Sequence, residues 1–147
     1  MDIGFKFKVI YGDADLLKVR ISAWNGAFGG VADVFVGIGG LEEASAKLKG
    51  FPKHPSDVRE LMLGAFGPRF AGGGVSLRFY CADASGHAYV DTKIESETLP
   101  SRPVQYVNLS QPVEAAAVDS FVDELRQIGM RKTGIARLEG LSAAARP

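Results

Sequence analysis

The chain has 147 residues, a length at which one globular domain buries about 70% of the surface of its unfolded form. Hydrophobic residues make up 46% and charged residues 23%, which excludes disordered and collagen-like proteins. The 17 basic and 17 acidic residues cancel and no basic run occurs. The sequence therefore predicts neither nucleic-acid nor membrane binding, although a local basic patch is compatible with it.

The absence of linkers and internal repeats predicts a single globular domain over residues 1–147, with a frayed tail from about residue 140. The one cysteine cannot form an intramolecular disulfide, and the start MDIGFKFKVI lacks the long apolar region of a secretory signal. A cytoplasmic location is therefore expected.

Alternating apolar and polar residues predict strands at the front of the chain. Phe5, Phe7 and Val9 share one face of the first strand, because successive strand side chains point to opposite faces. The second strand places four apolar residues on one face: Leu17, Val19, Ile21 and Ala23. A third strand is predicted over VADVFVGI, residues 31–38.

Residues 21–41 form an apolar stretch long enough to span a bilayer, with Asp33 as its one charge. Six of these residues are glycine, and Asn25-Gly26 is a strong signal for a type I′ hairpin turn. We therefore interpret the stretch as two buried strands folded back on each other.

Two helices are predicted from apolar residues at helical spacing. The first covers residues 41–50, where a glycine ends it. The second runs from residue 113 to 128, with Ser110 as its cap, Pro112 in its first turn and Gly129 at its end. This second helix carries a broad apolar stripe and is the best-defined element of the sequence.

Further strands are predicted at residues 58–66, 75–81, 87–95, 103–110 and 133–139. Because most of these strands are separated only by short turns, we expect antiparallel pairing. The predicted fold class is α+β, with a largely antiparallel sheet of about seven or eight strands, one short helix and one longer C-terminal helix.

The hairpin at residues 75–95 is the part of the sequence that most resembles a site, because glycines 72–74, the only cysteine and a histidine fall around it. Strand alternation directs Cys81 toward the core and His87 away from it, so a catalytic Cys/His pair is not expected unless a β-bulge reverses the alternation. The three glycines precede a strand, whereas a phosphate-binding loop precedes a helix. GIGG at 37–40 does lead into a helix, but the acidic residues after it favour a tight connection over an anion site.

The outward side of the same hairpin is the candidate binding surface. It presents Arg78, Tyr80, His87, Tyr89 and Asp91, and tyrosine and arginine are enriched in protein-binding patches. The alternative is an ordinary solvent-exposed sheet face, on which these residues serve cross-strand packing. No metal-ligand spacing or catalytic motif occurs, so the sequence predicts no catalytic residue, metal or cofactor.

The order of four segments resembles small bacterial proteins of the WapI-like immunity type and their uncharacterised relatives. The segments are DLLKVRISAW, VADVFVGIGGLEEASAKLKGF, GVSLRFYCADASGHAYVDTKIE and VEAAAVDSFVDELRQIG. The resemblance implies a compact cytoplasmic module of a sheet and a terminal helix that inhibits a toxin by binding it stoichiometrically. It assigns no role to individual residues.

Three classes of function follow from the sequence. The first is a non-catalytic module that binds a protein, such as a toxin domain, and it is the one we expect. A nuclease target is less expected, because a neutral chain without an acidic block does not complement a basic toxin. The alternatives are a small-ligand-binding protein, which needs an internal pocket, and an enzyme with an unrecognised site, which needs a cleft with perturbed ionisable groups.

Overall fold

The structure is a computed structural model that describes residues 2–67, 72–85 and 87–141. Within these residues the fold is α+β, with eight antiparallel strands, one short helix and one longer C-terminal helix, as the sequence predicts. The strands form two four-stranded sheets, whereas a single sheet was expected. The elements are β1 (Gly4–Gly12), β2 (Leu16–Trp24), β3 (Gly29–Gly37), α1 (Gly40–Leu48), β4 (Val58–Gly64), β5 (Gly74–Cys81), β6 (His87–Glu95), β7 (Tyr106–Glu114), α2 (Ala115–Arg131) and β8 (Gly134–Glu139).

The first sheet has the strand order β3-β2-β1-β8, and the second follows the chain as β4-β5-β6-β7. In the first sheet the predicted alternation is confirmed, because Phe5 and Phe7 are buried together with the four apolar residues of β2. A bulge at Ile10 shifts the register between β1 and β2, so that Tyr11 pairs with Lys18. The basic residues of β1 and β2 alternate with the buried ones and therefore lie on the outer face of this sheet.

One hydrophobic cluster joins the inner faces of both sheets with the buried sides of the two helices. Phe7 of β1 meets Phe121 of α2 edge-to-face, with ring centroids 5.2 Å apart. Phe51, just after α1, meets Phe79 of β5 in the same manner at 5.9 Å. Such pairs add about 0.5–1.5 kcal/mol each beyond their buried area. The core therefore fixes how each sheet lies against the helices.

Strand β3 of the first sheet contacts the second sheet at positions that are occupied by glycine. The Gly73 amide donates to the Asp33 carbonyl over 2.8 Å, and a Cβ at Gly73 would lie 3.2 Å from the Ala32 Cβ. Gly72 has φ +77° and lies against the Phe35 ring. Gly72 and Gly73 thus permit close approach of the two sheets, and Gly74 begins β5, whereas a phosphate-binding loop leads into a helix.

The β2–β3 connection differs from the predicted type I′ turn. It is a four-residue loop from Asn25 to Phe28, and among its residues only Gly26 has positive φ. A type I′ turn needs positive φ at both central residues. Instead, the buried Asn25 side chain accepts hydrogen bonds from the Ala27 and Phe28 amides and donates to the Ser110 carbonyl over 3.0 Å. The asparagine therefore connects the first sheet to the edge of the second.

The boundary between β7 and α2 also differs from the prediction. Strand β7 extends to Glu114, so Ser110 and Pro112 lie in the strand and do not begin the helix. The carbonyl oxygen of Pro112 points away from β6 and accepts a hydrogen bond from the Leu141 amide. An edge position of this kind tolerates a proline because no ladder hydrogen bond is lost.

The predicted end of α2 is also wrong, because the helix continues beyond Gly129 to Arg131. Lys132 follows in the left-handed conformation with φ 59°. Gly129 is buried inside the helix, where a Cβ would collide with the Glu42 carboxylate and lie 3.0 Å from the Leu41 Cβ. The glycine permits α1 to approach α2 and has no role in ending the helix.

The remaining predicted elements lie close to their expected positions. Helix α1, β4 and β8 fall within the ranges predicted for them to within a residue or two. The apolar stretch at residues 21–41 covers the end of β2, all of β3 and the start of α1. No helix in the described residues is long and apolar enough to cross a membrane. Most of the predicted frayed tail, residues 142–147, lies outside the described residues.

We predict that Leu125→Ala lowers the free energy of unfolding by about 2–5 kcal/mol. Leu125 lies on α2 and is fully buried in the core cluster, so its removal leaves a cavity. Urea unfolding followed by circular dichroism measures the effect. The neighbouring exposed residue gives the control, since Arg126→Ala should stay within about 0.5 kcal/mol of the parent chain. Equal effects of the two substitutions would contradict this packing.

Candidate functional site

The register of β5 and β6 brings four of the five predicted site residues together on the outer face of the second sheet. Arg78 lies directly opposite Asp91, and Tyr80 lies directly opposite Tyr89. Side chains in directly opposite positions have Cβ atoms about 4.5–5.5 Å apart. We call these four residues the tyrosine cluster.

Hydrogen bonds and stacking hold the tyrosine cluster in one arrangement. The Tyr80 hydroxyl donates to Asp91 Oδ1 over 3.1 Å, and the Ser110 hydroxyl from β7 donates to the same oxygen over 2.7 Å. The two tyrosine rings are nearly parallel, at 23°, with centroids 6.0 Å apart. The Arg78 guanidinium carbon lies 4.8 Å from the Tyr80 ring centroid, a cation–π distance.

Arg78 links the cluster to the neighbouring strand. Its guanidinium approaches Asp91 and Glu60 of β4, each at 3.8 Å, which is beyond hydrogen-bond distance. Arg78 and Asp91 are each about half exposed, so these ion pairs contribute little to stability. The arginine therefore keeps donors that another molecule could engage.

Burial raises the pKa of the Tyr80 hydroxyl, and the nearby Asp91 charge adds to this shift. The phenol therefore stays protonated at neutral pH and acts as a hydrogen-bond donor to Asp91. A nucleophilic or general-base role would need the opposite shift.

His87, the fifth predicted residue, lies at the end of the hairpin and contacts a different partner. Its Nδ1 atom is 2.8 Å from Asp83 Oδ2 in the turn. The hydrogen bond with His87 lowers the pKa of Asp83, and the Ser85 amide contributes in the same direction. The structure thus pairs His87 with the turn, whereas the other four residues contact one another.

Cys81 lies on the inner side of the hairpin, as strand alternation predicts, although it is only partly buried. Its Sγ atom is 3.7 Å from the His54 carbonyl oxygen, and burial raises the pKa of the thiol. A reactive cysteine has a lowered pKa and a base beside it. Cys81 and His87 therefore do not form a nucleophile–base pair.

Exposed apolar side chains surround the tyrosine cluster on the same face. The register places Val58 and Met62 of β4 there, together with Tyr106 of β7. Met62 is 57% exposed and Tyr106 is 71% exposed. The sequence analysis did not identify these residues as part of the surface, because alternation shows only which residues of a single strand share a face. Which strands lie beside β5 and β6 could not be read from the sequence.

The most strongly lowered pKa belongs to a structural clamp at the end of α1. Arg59 donates two hydrogen bonds to the Asp57 carboxylate, each 2.9 Å long, and two more to the Lys47 and Lys49 carbonyls. The two bonds from Arg59 to the carboxylate, together with one from the Lys53 amide, lower the pKa of Asp57 to about 2. The carboxylate is fully engaged by its partners, so the clamp closes the C-terminal end of α1.

The described residues contain no group of three or more His, Cys, Asp or Glu side chains that could hold a metal ion. His54, which the sequence separates from His87, contacts the Ser56 hydroxyl at 3.1 Å.

We predict that Asp57→Asn lowers the free energy of unfolding at pH 7 by about 2 kcal/mol, because a carboxylate hydrogen-bonded to a guanidinium is lost. The folded-state pKa of Asp57 is depressed from 3.8 to about 2, so the parent chain holds this stabilisation above about pH 4 and loses it as the pH falls toward 2. Urea unfolding at pH 7, 4, 3 and 2.5 should show the two proteins converging. A constant difference would contradict the clamp.

The exposed pair Arg20–Asp33 is the matched control. It has the same two-bond geometry, at 2.8 and 3.0 Å, but lies on an open sheet face. Asp33→Asn should therefore lower the free energy of unfolding at pH 7 by less than Asp57→Asn does.

Comparisons of this chain with protein-family models, curated proteins and solved structures find no match. The assignment of a function therefore depends on the two sheets, the tyrosine cluster and the charges that the structure places on each exposed face.

Proposed function

We propose that this protein is a non-catalytic module that binds another protein through the outer face of its second sheet. The observation that carries the proposal is the tyrosine cluster, in which Arg78, Tyr80, Tyr89 and Asp91 hold one another in place beside exposed apolar residues. Tyrosine and arginine dominate the residues that contribute most to protein–protein binding.

The arrangement of the cluster reduces the cost of binding. Ordering a mobile side chain at an interface costs about 0.5–1.5 kcal/mol. Stacking on Tyr89 and the hydrogen bond to Asp91 already restrict Tyr80, so less entropy is lost when a partner covers it. Tyr106 and Met62 add apolar area that a partner can bury.

The charge of this face suits a basic partner. Acidic side chains outnumber basic ones on the outer face of the second sheet, where the register places Glu60, Asp91, Glu95 and Glu114 against Arg78 and Lys93. Complementary charge increases association rate and excludes wrong partners. This supports the narrower proposal of a toxin-neutralising protein, in which the partner is a toxin domain with a basic surface.

Small-ligand binding has less support near this face. A depression of about 250 Å³ lies between α1, β3 and β4, and the Glu43–Lys47 ion pair lies beside it. Ligand pockets usually enclose about 300–1,000 Å³ and are mostly apolar. This depression therefore supports small-ligand binding less well than the exposed sheet face supports protein binding.

We predict that a photo-crosslinking amino acid at position 62 captures a stoichiometric protein partner in the native host. Met130 on α2 gives a matched control, since it is 58% exposed and Met62 is 57% exposed, but it lies on a different surface. The same crosslinker at position 130 should not capture this partner. Mass spectrometry of the crosslinked band identifies it, and a basic toxin domain would support the narrower proposal.

Two substitutions connect the crosslink to the tyrosine cluster. We expect Arg78→Ala with Tyr89→Ala to reduce crosslinking from position 62 at least tenfold, because Tyr and Arg truncations at interfaces commonly exceed 1.4 kcal/mol each. Unfolding in urea should change by only about 1 kcal/mol, since both side chains are partly exposed. Undiminished crosslinking, or unfolding of the double variant, would overturn this assignment of the face.

A further inference from the structure

The outer face of the first sheet concentrates basic residues that are scattered along the sequence. The register places five of them there: Lys6, Lys8, Lys18, Arg20 and Arg137. The same face carries two acidic residues, Asp33 and Glu139, and Asp33 is already bound to Arg20 by two hydrogen bonds. We call this surface the basic face.

Two like charges stand directly opposite each other at its centre. Lys6 of β1 pairs with Arg137 of β8, and the Arg137 amide donates to the Glu124 side chain of α2. That amide points away from β1, so Lys6 and Arg137 form a non-hydrogen-bonded pair of the antiparallel ladder. In such pairs the two side chains lie closer together than in hydrogen-bonded pairs. Like charges directly opposite destabilise a sheet.

Three cations of the basic face make no ion pair within the described residues. None of the ion pairs among them includes Lys6, Lys8 or Arg137, all of which are exposed. Lys8 stands opposite Arg20, whose charge Asp33 already balances. An anion lying along β1 would relieve the repulsion between Lys6 and Arg137.

Aromatic side chains stand at both ends of the basic face. Trp24 lies at one end of β2, and Phe35 pairs with Lys18 at the other, where the lysine ammonium is 5.5 Å from the ring centroid. Lys18 and Trp24 are six positions apart along the strand, a distance of about 20 Å. Beside Trp24 lies a depression of about 810 Å³, lined by the basic Lys6 and Arg137 and also by the acidic Asp2 and Glu139.

We infer that the basic face binds single-stranded nucleic acid. Basic side chains that follow a phosphate backbone, with aromatic rings on which unpaired bases stack, are the combination that such ligands require. A mononucleotide would reach one aromatic end, whereas the unneutralised cations continue along the strand between both ends. A purely acidic protein segment or an anionic membrane would leave the two aromatic positions without a stacking partner.

Trp24 is the one tryptophan of the chain, so its fluorescence reports directly on this face. The test is a titration of the 147-residue protein with a fifteen-residue oligothymidylate, dT15, at several salt concentrations. We expect saturable quenching of Trp24 as a base stacks on it. With three phosphates neutralised by Lys6, Lys8 and Arg137, the plot of log K against log salt should have a slope of about −2.

The combined variant Lys6→Gln, Lys8→Gln and Arg137→Gln should weaken dT15 binding at least tenfold and bring the salt slope close to zero. A matched control removes three exposed basic residues elsewhere, as Lys49→Gln, Arg126→Gln and Arg131→Gln, and should keep the parent affinity and slope. The first variant should unfold at no lower urea concentration than the parent, because it relieves repulsion.

The outcomes separate this inference from other kinds of binding. Quenching by dT15 that heparin and an equally long DNA duplex do not reproduce supports single-strand binding. Equal quenching by heparin or by the duplex would overturn it, as would equal affinity for a mononucleotide. Absence of quenching at millimolar dT15 would overturn it as well, and so would equal loss of affinity in the control variant.

Discussion

Close contact between β3 and the second sheet is the constraint on which the other features of the molecule depend. At Gly72 and Gly73 a larger side chain would meet β3, and at Gly30 it would meet Val107 of β7. Because these positions carry no side chain, the two sheets share one core with both helices. The opposite faces of the sheets are then left to solvent as two separate surfaces, one with the tyrosine cluster and one with the basic face.

The Asn25 loop shows how local and long-range demands combine. An asparagine–glycine pair predicts a turn from local conformation alone, and a turn is present, but its type is different. The side-chain amide of Asn25 is buried because it reaches the Ser110 carbonyl on the other sheet. The neighbouring Gln111 side chain, fully buried, donates in turn to the Trp24 carbonyl. These two contacts join the sheets where glycines allow them to meet.

Period-two alternation predicted most strands, the inward direction of Cys81 and the shared face of Arg78, Tyr80, Tyr89 and Asp91. Alternation describes one strand at a time, and so it could not show that Ser110 and Glu60 would join that face. The start of α2 was wrong for a related reason. Residues 110–114 have the apolar spacing and proline of a helix start, but pairing with β6 along the whole of β7 keeps them extended.

The net charge of the chain gave no sign of the charged surfaces that the fold creates. The chain is neutral, and its basic residues are spread through β1, β2 and β8, so no run indicates a charged surface. Folding separates the signs, since the first sheet exposes mainly basic residues and the second mainly acidic ones. The hydrophobic core lies between these faces, and side chains this far apart without shared partners act almost independently. A protein partner on the acidic face and a nucleic acid on the basic face would consequently bind without competing, and each proposal stands or fails on its own residues.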